Sequence, residues 1–172
     1  MDAAVVTFMV GENYELTLDA PTLAGILSGS ISNWADPAIV ALNEFATLPN
    51  QEIVVSPSAL GPARDAMEAW LESETGSDLD LSYIADVEGL ESEAIYALSD
   101  GELRITAFSS TLTTGYPLAN IATIPGDLAS VVVPDARLIQ TAGTQVDLQK
   151  DVDAQTVNFS YNKENEVKPL LG

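Results

Sequence analysis

The strongest constraint on this chain is the alternation of short β-branched apolar runs with amphipathic segments that open on proline. Ala4–Val10 (AVVTFMV) is a continuous apolar run ended by Gly11, and Glu52–Val55 and Leu103–Phe108 have the same character. Such runs predict buried strands. Between them, Pro21–Leu27 places Leu23, Ile26 and Leu27 on one face and is stopped by Gly29. Asp36-Pro37 is an N-cap followed by a helix-starting proline, with Ile39, Val40 and Leu42 as the buried side. Pro62–Glu74 carries Ala63, Ala66, Met67, Trp70 and Leu71 at helical spacing, with Gly76 as its stop. Proline in a first turn costs no hydrogen bond, and glycine past the last turn accepts a left-handed backbone. Leu16–Leu18 reads as a short extended entry to the first helix, Tyr83–Ala85 as a short strand, and Ala119–Ile124 and Ser130–Val133 as two further apolar segments punctuated by Pro125-Gly126 and Pro134-Asp135. Thr156–Tyr161 reads as an edge strand, and Leu90–Leu98 as a further helix. Alternation of this kind predicts an α/β layered domain with a mixed sheet.

The 172 residues suit one well-cored domain, taken here as residues 1–161, with 162–172 a polar tail expected to fray. Hydrophobic residues make up 47% of the chain, enough to offset the entropy of ordering. No apolar run approaches the ~20 residues of a membrane span. The N-terminus has neither a basic region nor a cleavage motif, so it reads without a signal peptide.

Twenty-six acids face six bases, a formal net charge of −20. Nucleic acid, which needs a positive footprint, is excluded as a partner, and an anionic membrane surface is disfavoured. The acidity reads as a solubilising surface on an extracellular or salt-adapted protein. With no Cys and no His, thiol nucleophiles, Ser-His triads and nitrogen- or sulfur-ligated zinc are ruled out. Carboxylates alone would hold a hard cation such as calcium. Asp78, Asp80, Asp86 and Glu88 lack EF-hand spacing and read as a solvated loop. No cofactor and no metal is expected.

The segment Leu16–Asn43, LTLDAPTLAGILSGSISNWADPAIVALN, resembles a hallmark of phosphate-binding proteins of ABC transporters, the PstS type. Gly29, Ile31, Asn33, Trp34, Asp36, Pro37, Ile39, Leu42 and Asn43 fall where that pattern has them. Leu48-Pro49 with Ile53–Val55, Trp70-Leu71, and Arg104–Leu118 with Pro117 extend the likeness over Ala4–Ile124. The resemblance implies a mixed-sheet, three-layer lobe of the type II periplasmic-binding-protein fold, the second of two lobes that close on phosphate. It also implies a non-enzymatic solute-binding role, an extracellular, periplasmic or cell-surface location, and an ABC permease or surface protein as partner. A missing first lobe would supply the other half of the grip on an inorganic oxyanion or another small solute.

In that family an Arg-Ser-Asp-Gly-Ser-Gly-Thr type loop feeds a helix N-terminus and wraps the anion with amides, hydroxyls and a guanidinium. Here the loop is Ser56-Pro57-Ser58-Ala59-Leu60-Gly61-Pro62-Ala63. Pro57 stands at the arginine position, Ala59 at the aspartate, and Pro62 removes an amide donor. The ligand contacts that remain are Ser56, Ser58, Gly61 and Arg64, with Ser109 and Ser110 at a strand end. Arg64 is either a displaced anion ligand or the partner of Glu68 one turn on. Ser109-Ser110-Thr111 is either a ligand contact or a hydroxyl-rich capping turn. Trp34 and Trp70 are expected in the core. The alternative to a solute-binding lobe is a ligand-free scaffold or protein-interaction module on the cell surface.

Overall fold

A computed structural model describes residues 3–13, 15–56, 61–84, 97–134, 146–151 and 156–161. These fall into two compact units, Asp2–Pro134 and a C-terminal one from Asp135. The larger unit is a mixed α/β structure. Its main sheet has the order β1-β4-β3, with β1 at Ala4–Met9, β3 at Val54–Val55 and β4 at Glu102–Ala107. β1 runs antiparallel to β4 in the register Val6↔Ile105, and β3 runs parallel to it in the register Val55↔Leu103. A second sheet, β2-β5-β6, joins Thr17–Asp19 in parallel to Asn120–Ala122 and then antiparallel to Val131–Val132. In the C-terminal unit, β7 (Val146–Asp151) and β8 (Thr156–Tyr161) form an antiparallel two-stranded ribbon. The strand expected at 156–161 is present, with β7 as its neighbour.

Period-two alternation explains the two faces of the main sheet. Residues directly opposite in an antiparallel pair share a face, so Val6, Phe8, Leu103 and Ile105 line one side, all buried in the hydrophobic core. Helix α3 (Gly61–Thr75) covers them with Ala63, Met67 and Leu71, and helix α1 (Ala20–Leu27) adds Leu23, Ile26 and Leu27 to the same core. The opposite face carries Thr7, Arg104 and Thr106, three buried polar residues, beside the buried Val5.

The helix starts follow from the capping residues. Asp19 caps α1 through Thr22 N at 2.9 Å, with proline in the first turn. Asp36 caps α2 (Pro37–Leu42) through Ala38 N at 2.9 Å. Asn43 closes α2: its Nδ2 donates to Ile39 O and Thr17 O while its Oδ1 accepts from Thr17 N. One side chain thereby mimics a strand partner for β2 and anchors the helix end to it.

Several expectations need correction. Ser109–Thr111 is no turn: β4 ends at Ala107, and Phe108–Thr114 is helix α4, stopped by Gly115 in the left-handed region. Residues 82–84 form a turn and bend, where a strand was expected. The tyrosine there tethers the segment to Leu27 O through its hydroxyl, and Ile84 N closes the turn onto Leu81 O. The helix expected over Leu90–Leu98 lies outside the described residues except for Ala97 and Leu98, which are not helical. Trp70 is only partly buried, packed against the core's edge, and Ala66 and Val40 are exposed. Trp34 is the fully buried tryptophan, and its Nε1 donates to Gly101 O at 3.1 Å.

Trp34→Ala is therefore expected to cost about 3–5 kcal/mol, with Trp70→Ala costing clearly less; thermal or urea unfolding of both variants ranks them. Gly101 has φ +92°, and a Cβ there would lie 2.6 Å from Gln51 Nε2 and 3.1 Å from Glu52 O. Gly101→Ala is expected to lose about 1–3 kcal/mol from backbone strain, and an unchanged unfolding midpoint would refute that.

Candidate functional site

β3 and β4 are parallel, so their carboxyl ends point to the same side of the sheet, the side where open α/β sheets bind ligands. Each strand feeds a helix. β3 leads through residues 57–60 to α3, and β4 runs straight into α4. β4 extends four residues beyond the position opposite Val55, about 13 Å of strand rise. Ser109 and Ser110, in the first turn of α4, are thus staggered along the strand direction from Ser56 at the end of β3. α4 has seven residues and no side-chain cap at Ala107.

Ser56 is 3% exposed, and its amide donates to Leu103 O at 2.8 Å. That N–H belongs to the sheet ladder and is not offered to a ligand. Ser58 lies outside the described residues. Gly61 opens α3, followed by Pro62, which has no N–H to contribute.

Arg64, in the first turn of α3, is already engaged. Its Nη2 and Nε reach Asp65 Oδ1 at 3.0 and 3.2 Å, and its Nη1 donates to Ile84 O at 3.1 Å. The expected pairing with Glu68 does not form. A guanidinium that stretches back to the 84 carbonyl leaves the i+4 position, and Glu68 turns instead to accept from Leu81 N at 2.9 Å. Glu72 likewise faces Leu79 N at 3.4 Å. Two acids of α3 thereby hold the 79–81 segment by its backbone amides.

The loop after α3 carries Asp78 and Asp80, both exposed. Hydrogen bonds from the Ser82 hydroxyl and amide hold the Asp80 carboxyl below the usual aspartate range. Among the described residues no group of three or more carboxylates is placed to hold a metal ion. Burial pushes the Tyr83 phenol above its ordinary pKa of 10.0, and its hydroxyl donates to Leu27 O.

Sequence reasoning missed Arg104, which is 6% exposed on the central strand between two buried threonines on the same face. The signal was a lone base inside an apolar strand, in a chain with only six bases. A cation is buried only at a cost unless its surroundings compensate it, and Thr7 Oγ1 lies 3.4 Å from Arg104 O on this face.

Tyr83 yields a prediction with a definite sign. Its folded pKa exceeds its unfolded one, so the contribution of its neutral phenol is complete below pH 10 and is lost as pH rises through the raised value. Tyr83→Phe is expected to flatten the alkaline fall in stability, read from unfolding midpoints between about pH 9 and 11. A fall of the same steepness in both proteins would refute it.

No protein-family model matches the chain. It is 42% identical over 69 residues to phosphate-binding protein PstS 3 of Mycobacterium tuberculosis H37Rv, a match covering 40% of this chain and 19% of the relative. PstS 3 of Mycobacterium leprae is 48% identical over 50 residues, covering 29% of this chain and 14% of that protein. The match therefore spans about a fifth of the length of the curated relatives. The fold extends further. A Clostridium perfringens protein, described as a phosphate ABC transporter substrate-binding protein and solved with bound phosphate, superposes with a TM-score of 0.52 and 15% identity. That superposition covers 97% of this chain and 58% of that one. In sequence over two fifths of its length, and in fold over nearly all of it, the chain is related to a part of the PstS-type phosphate-binding proteins of ABC transporters.

Proposed function

We propose that residues 1–161 form a non-enzymatic lobe of the solute-binding type, working outside the cytoplasm, whose anion loop has lost its grip on phosphate. The role, the location (extracellular, periplasmic or cell-surface) and an ABC permease or other surface protein as partner come from the relatives. The loss of grip comes from this chain's own loop. Its carrying observation is the state of Arg64, whose guanidinium is neutralised by Asp65 and bonded to the Ile84 carbonyl.

A tetrahedral oxyanion in a protein cleft exchanges water for fixed donors, and only surplus donors produce affinity. Hydrogen bonds to a charged acceptor contribute about 1.5–3 kcal/mol each. Ser56 N–H is spent on Leu103 O, Pro62 has no N–H, and Pro57 stands where the family pattern has arginine. Loss of two such bonds weakens binding by about a hundredfold or more. The net charge of −20 adds an unfavourable field for any anion. An opposing lobe would supply donors that this chain lacks, and a solute other than an oxyanion would not need them.

Calorimetry with phosphate, sulfate and molybdate at modest salt tests the reading. The expected result is no binding tighter than about 1 mM by the chain alone. Micromolar binding of any of the three, abolished in Arg64→Ala, would overturn it and make Arg64 a relocated anion ligand.

A further inference from the structure

A cleft of about 690 Å3 opens on the far side of β3 from β4, between the C-terminal end of α1 and the 78–83 segment. Its volume falls within the roughly 300–1,000 Å3 usual for ligand pockets, and its described lining includes none of Ser56, Gly61, Pro62 and Ala63. The floor is aliphatic, built from Ile26, Ile31, Ile53 and Leu79. Tyr83 forms a wall, fixed by its hydroxyl to Leu27 O at the end of α1. Three carboxylates, Glu52, Asp78 and Asp80, stand on the lining, all on exposed residues, and no described lining residue is basic.

The edge of β3 adds a directional element. Val54 N and Ser56 N bond to Gly101 O and Leu103 O on β4, so by strand alternation Val55 presents its N–H and C=O to the other side. Ile53 N on that side is taken by Ser32 O, which leaves Val55 as the open position of the edge, inside the cleft. Apolar floor, acidic rim and one open strand position together match a chain, not a compact solute. A backbone can bond to Val55, alternate side chains can reach the floor, and the others can meet the carboxylates.

We propose that this cleft docks an extended peptide segment in which aliphatic side chains alternate with lysine or arginine. Its affinity comes from the aliphatic floor and the Val55 backbone position, and its charge preference from Glu52, Asp78 and Asp80. An acidic or neutral peptide meets the same floor without the charge match.

The probes are an alternating leucine–lysine hexapeptide amide and its leucine–glutamate counterpart, titrated into isotopically labelled protein and followed by amide shifts. The lysine peptide is expected to move amides of 26–32, 52–55 and 78–83, and to weaken as salt rises from about 0.05 to 0.5 M. The combined variant Glu52→Gln, Asp78→Asn, Asp80→Asn is expected to lose about tenfold in affinity. Neutralising Glu12, Glu15 and Glu44, exposed acids outside the cleft, should leave binding almost unchanged. Equal loss in the two combined variants would show attraction to net charge alone and overturn the proposal. So would equal binding of the glutamate peptide, shifts confined to other surfaces, or no shift at millimolar peptide. Thermal melting of each variant confirms that it is folded before its affinity is read.

Discussion

The larger unit hangs on the peptide group of Gly101. Its N–H donates to Met9 O at 2.7 Å, and its carbonyl accepts from both Val54 N at 3.0 Å and Trp34 Nε1 at 3.1 Å. Three segments far apart in sequence therefore converge on one residue just before β4. The left-handed backbone and the lack of a Cβ are both required, because Gln51 and the Glu52 carbonyl occupy the space a side chain would need. Trp34 owes its complete burial to this arrangement. An indole is costly to bury with its N–H unpaired, and here the N–H ends on the Gly101 carbonyl.

The same economy governs the acids. With four acids for every base, most carboxylates have no cation to meet, and several serve as acceptors for backbone amides instead. Asp100 accepts from Gly11 N, Glu102 from Ser99 N, Asp19 from Thr22 N and Gly126 N, and Asp127 from Ala129 N. Glu68 and Glu72 do likewise for the segment after α3. These bonds tie loops to the scaffold by satisfying amides that helices and strands leave over. The acidity is thus partly structural, which a net charge cannot reveal. Arg64 fits the pattern from the other side: a scarce cation, held by an acid and a carbonyl.

What was legible in the sequence were features whose cause lies within a few residues. The β-branched runs at 4–10 and 103–107 became strands because such residues suit a pleated surface and the core takes one face. Asp36-Pro37 and Asp19-Ala20-Pro21 became helix starts because cap and proline act locally. The failures involve partners distant in sequence. Phe108–Thr114 has weak helical propensity and no side-chain cap, yet forms a helix directly off β4. Arg64 chose Asp65 and Ile84 over Glu68 because the fold brings the 84 carbonyl within its reach. Trp70 matches the apolar spacing of its helix, but the core beneath it ends before its ring is covered.

The segment Leu16–Asn43, which most resembles the phosphate-binding family, contains Asp19, Trp34, Asp36 and Asn43, each satisfying a backbone or core requirement of this fold. Replacing any of them would leave a buried or capping group unpaired, a penalty paid in stability whatever the protein binds. At the two ends of the substituted loop, Ser56 answers to the sheet through its amide bond to Leu103 O, and Ala63 has its place in the core. Pro62, in the first turn of α3, costs the helix no hydrogen bond. Likeness to that family over Leu16–Asn43 therefore reports on the fold, whatever the neighbouring loop binds.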